Sequence, residues 1–402
     1  MPFKNVIAQN EVKQHLVELV QHNRLGHALL FLGPEGSGAL PLALAFAQYV
    51  VCEKVNGTQQ SSAAISMFGD DQRSSAIDHR PSDSCGICSS CIKAQQYIHP
   101  DIHFSYPVIP KKSGDKPIST DYIAEWREFI SQYPYGNAFD WLQFIGAENK
   151  QGNITANECN DIIRKLSLKS FESGYKILVM WMPEYLGNEG NKLLKLIEEP
   201  PPDTLFILVA ENESSILPTI LSRTQLIKIP LFDVKDIEAG LMESAKLSHE
   251  KARQVAFISE GNYREALQLL QHAEDDWQGL LRDWLNAILK TGPAAQVKWI
   301  DDVSKLGRER QKQFLRYFNH LLEQAIRLRV MDEQRSRIPD NEKDFAIRLN
   351  KIADISQQQA IIEELDKATY YIERNAHAKM LFHALTIKLY HIIAHKTLAV
   401  VN

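Results

Sequence analysis

The sequence predicts an α/β fold in its first part and an all-helical region after it. Short, continuous apolar runs at Ala28–Leu32, Lys176–Met180, Leu205–Ala210 and Gln225–Ile229 have the length of buried strands. Helical patterns separate them, which predicts a parallel sheet covered on both faces. Beyond Pro230 the strand signals stop and only helical spacing remains, so a domain boundary is expected near Phe232. With 402 residues, 44% hydrophobic and 24% charged, the chain is long enough for two to four packed domains and too apolar for a disordered one.

Charge and cysteine content narrow the class. The formal net charge of −5 lacks the basic excess of a strong stand-alone nucleic-acid binder. No run of about 18 apolar residues offers a transmembrane helix, and Met1 to Ile7 lacks the apolar stretch of a signal peptide, so a cytoplasmic protein is expected. Five cysteines are too few for a disulfide scaffold, and three of them crowd into Cys85–Cys91, a pattern of metal binding in a reducing compartment.

In chain order, Val12 to Val20 has helical spacing. The strand Ala28–Leu32 runs into Gly33-Pro34-Glu35-Gly36-Ser37-Gly38, and Leu40 to Cys52 follows as a helix; strand, glycine loop and helix open a nucleotide-binding α/β unit. Lys54 to Ser82 is polar and reads as an exposed insertion, and Pro107 to Pro117 as irregular. Asp161 to Ser167 is expected as a helix, as is Asn188 to Glu199, stopped by Pro200-Pro201-Pro202. Val234–Ala245, His249–Ser259 and Tyr263–His272 read as three short helices, and longer ones carry Phe314 to Ile326, Ile361 to Ile372 and Met380 to Ile393.

A working phosphate loop needs Gly-x-x-x-x-Gly-Lys-Ser/Thr, whose lysine neutralises phosphate charge and whose hydroxyl holds magnesium. Here Gly33 and Gly38 stand, but Ala39 and Leu40 occupy the lysine and hydroxyl positions. The strand at 176–180 should deliver an acidic pair to a magnesium ion and instead runs into Trp181-Met182-Pro183-Glu184; neither Trp nor Met offers the oxygen ligand that magnesium wants, and Glu184 is expected on the surface. Two separate sites have therefore lost the same chemistry. Cys85-x2-Cys88-x2-Cys91 can meet one zinc ion, with Cys52 as the natural fourth ligand and Cys159, His79, His99 and His103 as alternatives; four thiolates leave no open position, so such a site is structural. Arg223, in Ser222-Arg223-Thr224 beyond the core strands, is placed to reach a neighbouring subunit or is simply solvated, and Arg264 reads by itself as an exposed residue at a helix start.

Several of these segments together resemble the bacterial clamp-loader AAA+ family: Gly26 to Gly36, the cysteine triplet, His99-Pro100-Asp101, Leu193 to Pro201, Leu217 to Gln225 and, more faintly, Arg374 to Lys379. The likeness covers most of residues 1–272 and implies a RecA-like AAA+ core with a zinc-binding insertion over 1–232, a helical lid over 233–272 and a helical collar over 273–402. The missing lysine, hydroxyl and acids resemble the delta-prime branch and not the gamma/tau ATPases. That likeness implies a chain that binds no ATP of its own and lends Arg223 as an arginine finger to an adjacent ATPase, with Arg264 at the second-sensor position of the lid. The implied partners are gamma/tau and delta, with the sliding clamp and primed DNA reached through the complex. A competent gamma-like ATPase and a zinc-dependent nucleic-acid adaptor are the alternative readings. The insertions 54–82 and 104–154 are long for the family.

Overall fold

The computed structural model describes residues 1–60, 81–112, 114–147, 151–271, 276–330, 340–374 and 376–395. The chain divides into two compact units, Met1–Gln271 and His272–Asn402.

The first unit begins with α1 (Asn10–Gln21), β1 (Ala28–Leu32), α2 (Ala39–Val51), α3 (Glu53–Gln60), α4 (Ser89–Gln95), β2 (Ile102–Ser105), α5 (Ile123–Gln132), α6 (Ala138–Phe144) and α7 (Ala156–Ser167). It continues with β3 (Lys176–Trp181), α8 (Leu194–Glu198), β4 (Thr204–Ala210), α9 (Pro218–Leu221), β5 (Gln225–Lys228), α10 (Val234–Ala245), α11 (His249–Ile258) and α12 (Tyr263–Gln271). The five strands form one parallel sheet in the order β2-β3-β4-β1-β5. β3 and β4 are buried along their whole length, as strands covered on both faces must be. On one face lies α2, all of whose residues are buried; on the other, α7 and the turns after β3 close a second core around Ile162, Leu178, Phe206 and Leu208.

Several elements differ from the sequence expectation. The insertion 54–82 begins as helix α3; residues 61–80, with His79, lie outside the described residues. β2, hidden in the short run Ile102–Ser105, completes the sheet beside β3. Asn188–Glu199 is not one helix: 3-10 turns over Pro183–Leu193 are interrupted at Gly187, whose φ of 49° and ψ of −141° break helical geometry, and only Leu194–Glu198 is α-helical.

The segment 104–154 is part of the core and not an appendage. Tyr106 stacks on Trp126 with ring centroids 4.1 Å apart, and Trp141 meets Trp126 edge-on at 5.3 Å. Trp181 joins the same cluster 5.2 Å from Trp126. The residue that stands where an acid was sought is thus a wall of an aromatic core, where it contributes apolar burial and ring contacts. Helices α10–α12 gather around their own small core of Phe232, Ile237, Leu241, Ala256 and Tyr263, joined by Tyr135 from the 104–154 segment.

The second unit is helical throughout its described residues: α13 (Trp277–Asn286), α14 (Pro293–Val303), α15 (Arg308–Val330), α16 (Asp340–Ile352), α17 (Ile355–Glu373) and α18 (Ala378–His395). Its core centres on Trp284 stacked on Trp299 at 4.5 Å, with Phe314, Phe318 and Phe382 around them. Among the described residues, no helix is long and apolar enough to cross a membrane.

Candidate functional site

The glycine loop leaves β1 and enters α2 as the strand–loop–helix pattern requires. Gly36 and Gly38 hold φ of 74° and 83°, the left-handed region open to glycine. A Cβ on Gly36 would lie 1.9 Å from Oδ1 of Asn262, because the start of α12 sits directly on the loop; the Tyr263 amide donates to the Gly36 carbonyl at 3.2 Å. Ala39 and Leu40 are buried in the apolar core. Tyr135 and Phe232 crowd Gly38, and the cleft left between the glycine loop, the start of α2, Pro134–Gly136, Trp181, Met182 and the end of β4 amounts to about 20 Å³, room for about one water.

Glu184 and Arg264 do not stand where the sequence suggested. Glu184 is not a surface residue: its Oε1 accepts from the amides of Glu211 at 2.6 Å and Asn212 at 2.9 Å, tying off the end of β4, and burial pushes its carboxyl up. Burial and then the charges of Glu35 and Glu184 push the neighbouring Glu211 up to about 8. Arg264, expected on the surface, is 4% exposed. Its Nε and one terminal nitrogen fork onto Asp140 at 2.5 and 2.6 Å, and the other reaches Oε1 of Glu35 at 2.7 Å. Asn137 closes the ring: its Nδ2 donates to Glu35 at 2.9 Å and its amide to Asp140 at 3.1 Å. A buried guanidinium needs such partners, and a forked carboxylate fits its plane.

Arg223 follows the turn of α9 at the edge of the sheet, in an open depression shared with His27, Glu198 and Ser222. Its side chain is 32% exposed. Nε donates to Glu198 at 2.6 Å and a terminal nitrogen to the Thr219 carbonyl at 2.8 Å.

The four Sγ atoms of Cys52, Cys85, Cys88 and Cys91 lie within 4.8 Å of one another, the one metal-competent cluster among the described residues. Cys52 ends α2, and Cys88 caps α4 by accepting from the Cys91 amide. The amides of Cys85 and Cys88 donate to Cys52 and Cys85 in the same way, each at 3.4 Å. Cys85 and Cys91 sulfurs are 3.9 Å apart, near the roughly 3.8 Å edge that Zn–S bonds of about 2.3 Å set in a tetrahedron. Contact between Cys52 and Cys91 drives one thiol of the pair down and, with burial, the other up, Cys52 being the lowered one. Several thiolates confined this closely repel one another, a repulsion that a divalent cation relieves.

Three alternative ligands stand apart. Cys159 is buried in the other core and donates to the Glu189 carbonyl at 3.6 Å. His99 accepts the Asp101 amide at Nδ1, which places its proton on Nε2 facing Glu172 at 3.3 Å, and His103 lies on β2. Sequence reasoning missed Glu35, Asn137 and Asp140; the Asn-x-x-Asp spacing of 137–140 is a helix-capping signal that points to α6 but not to Arg264.

The family described as "DNA polymerase III, delta subunit" matches residues 8–74 and 71–233. DNA polymerase III subunit delta' of Bacillus subtilis (strain 168) is 24% identical over 266 residues, covering 66% of this chain and 60% of that protein. DNA polymerase III subunit tau of the same organism is 25% identical over 336 residues, covering 80% of this chain and 46% of that protein. Subunit delta' of Escherichia coli (strain K12) is 24% identical over 318 residues, covering 78% and 74%. The chain thus spans about half to three quarters of the length of these relatives. With the match to that family running through the sheet, the glycine loop and the cysteine cluster over more than half of its residues, the chain belongs to the DNA polymerase III delta-subunit family of clamp-loader proteins.

Proposed function

We propose that this chain is a delta-prime subunit of the DNA polymerase III clamp loader, a cytoplasmic, non-hydrolysing AAA+ arm. It works with gamma/tau and delta to place the sliding clamp on primed DNA. In this reading 1–232 is the RecA-like core, 233–272 the lid and 273–402 the collar through which the subunits assemble. The observation that carries it is the apolar replacement of every group that phosphate and magnesium chemistry needs: Ala39, Leu40, Trp181 and Met182 are all buried. None can neutralise charge or ligate magnesium.

Two features of the chain support roles in the assembly. Arg223 supplies a guanidinium to the γ-phosphate of the neighbouring ATPase, where it spreads charge in the transition state. In the free subunit Glu198 holds that guanidinium in an open depression, from which a phosphate can draw it. Cys52, Cys85, Cys88 and Cys91 hold a zinc ion that staples α2 to α4, a structural and not a catalytic role.

Reconstitution tests the reading. Clamp loading by gamma/tau and delta should require this chain, while the isolated chain should not hydrolyse Mg-ATP. The likeness to tau favours a second reading, a gamma-like ATPase. Micromolar Mg-ATP affinity with steady turnover by the isolated chain would establish that alternative and end the delta-prime reading.

A further inference from the structure

A glycine loop at the start of a buried helix is an anion cradle: its amides and the helix dipole attract negative charge. In this chain the cradle faces groups of its own. Tyr135 lies against Gly38, whose added Cβ would come within 3.2 Å of the ring, and its hydroxyl accepts the Ile7 amide at 3.2 Å. Two residues on, Asn137 binds Glu35 of the loop, and Asp140 binds Arg264 of α12. The residues joined are far apart in sequence, 124 positions between Arg264 and Asp140 and 229 between Arg264 and Glu35, so the ring ties three separate segments together.

We propose that residues 134–140 are a built-in substitute for an anionic ligand: Tyr135 plugs the glycine loop, and Asp140 with Glu35 latches Arg264, so that helices α10–α12 stay closed on the sheet without any nucleotide. The latch is a property of this chain alone and does not depend on the assembly it enters. The charge balance fits. One guanidinium faces the carboxylates of Glu35 and Asp140, and the nearby carboxyls of Glu184 and Glu211 are both pushed up, Glu211 to about 8. A polyphosphate would add negative charge beside carboxyls that burial and one another's charge already push up. Tyr135 and Phe232 against Gly38 narrow what is left of the cradle to about 20 Å³.

Hydrogen exchange of the full chain, read by mass spectrometry, tests the latch. Asp140→Asn keeps shape and helix capping but removes the charge that the guanidinium forks onto; Glu35→Gln, closer to the surface, does the same at the loop. In both, α12 amides should exchange at least about tenfold faster than in the wild type, while β1, β3 and β4 keep their wild-type rates. Wild-type exchange in α12 of both variants would overturn the proposal. So would an equal acceleration over the strands, which reports general loosening and no latch. Millimolar Mg-tripolyphosphate should leave wild-type α12 exchange unchanged, and protection by it would overturn the plug. Turnover of ATP by the wild type would instead strike at the delta-prime reading, and the variants would still report on the latch.

Discussion

Asp101 carries a prediction that can be worked from its contacts. It belongs to the His99-Pro100-Asp101 motif, is 3% exposed, and anchors the loop before β3. Oδ1 accepts the Phe171 amide at 2.5 Å, and Oδ2 accepts those of Glu172 at 2.9 Å and Ser173 at 2.8 Å. Its carbonyl also receives the Ile177 amide, the first rung between β2 and β3. In Asp101→Asn the amide oxygen can keep two of the three bonds as neutral ones, and the NH2 faces the Phe171 amide, donor against donor. Weakening two charge-assisted bonds costs about 0.5–1 kcal/mol each, and one lost bond with an unsatisfied buried donor about 1–3 kcal/mol, so about 2–5 kcal/mol is expected.

The pH dependence has a fixed sign. Burial alone would raise this carboxyl, but the three amides outweigh it and hold it below the usual aspartate range. The stabilisation is therefore complete above the unfolded-state value of about 4 and is lost as pH falls through the lower native value. Urea unfolding read by labelling of Cys159, buried in the same unit, follows the relevant region. Asp101→Asn should be destabilised at pH 7 and lose less than the wild type on acidification to pH 3. A variant within about 0.5 kcal/mol of the wild type at pH 7 would refute the reasoning.

Two further outcomes concern metal and catalysis in trans. Protein purified without oxygen should carry one zinc per chain, released by acid or chelator and lost in Cys52→Ser; zinc-free protein would remove the site, and an unchanged metal in Cys52→Ser would move its fourth ligand elsewhere. Arg223→Ala should leave folding, zinc and assembly intact but lower DNA-stimulated ATPase activity and clamp loading of the reconstituted complex. An essential finger is worth on the order of 10³–10⁵ at its own site, so the loss in total turnover is partial. Arg223→Lys should rescue poorly, because an ammonium lacks the planar fork, and a wild-type loading rate in Arg223→Ala would assign the residue to its Glu198 pair alone.

Features that fit within a short window of residues were legible before any folding was considered. Continuous apolar runs marked β1, β3 and β4, because a strand buried on both faces has no polar side to alternate. The glycine loop, the absence of its lysine and hydroxyl, and the cysteine triplet stood out as residue types at fixed spacing. The fourth cysteine was within reach because α2 delivers Cys52 to the cluster. Long-range packing decided the rest. Arg264 and Glu184 looked exposed because a charged residue at a helix start or after a proline turn is usually solvated. Both are enclosed by partners that local period cannot reveal, from Asp140 at 124 positions' distance to the amides after β4. The aromatic core of Tyr106, Trp126, Trp141 and Trp181 likewise unites residues with no common spacing, and it turned a segment that read as an insertion into a structural wall. Pattern specifies which face of an element is apolar; which other element covers that face is settled by packing, where shape and charge are matched across the whole unit.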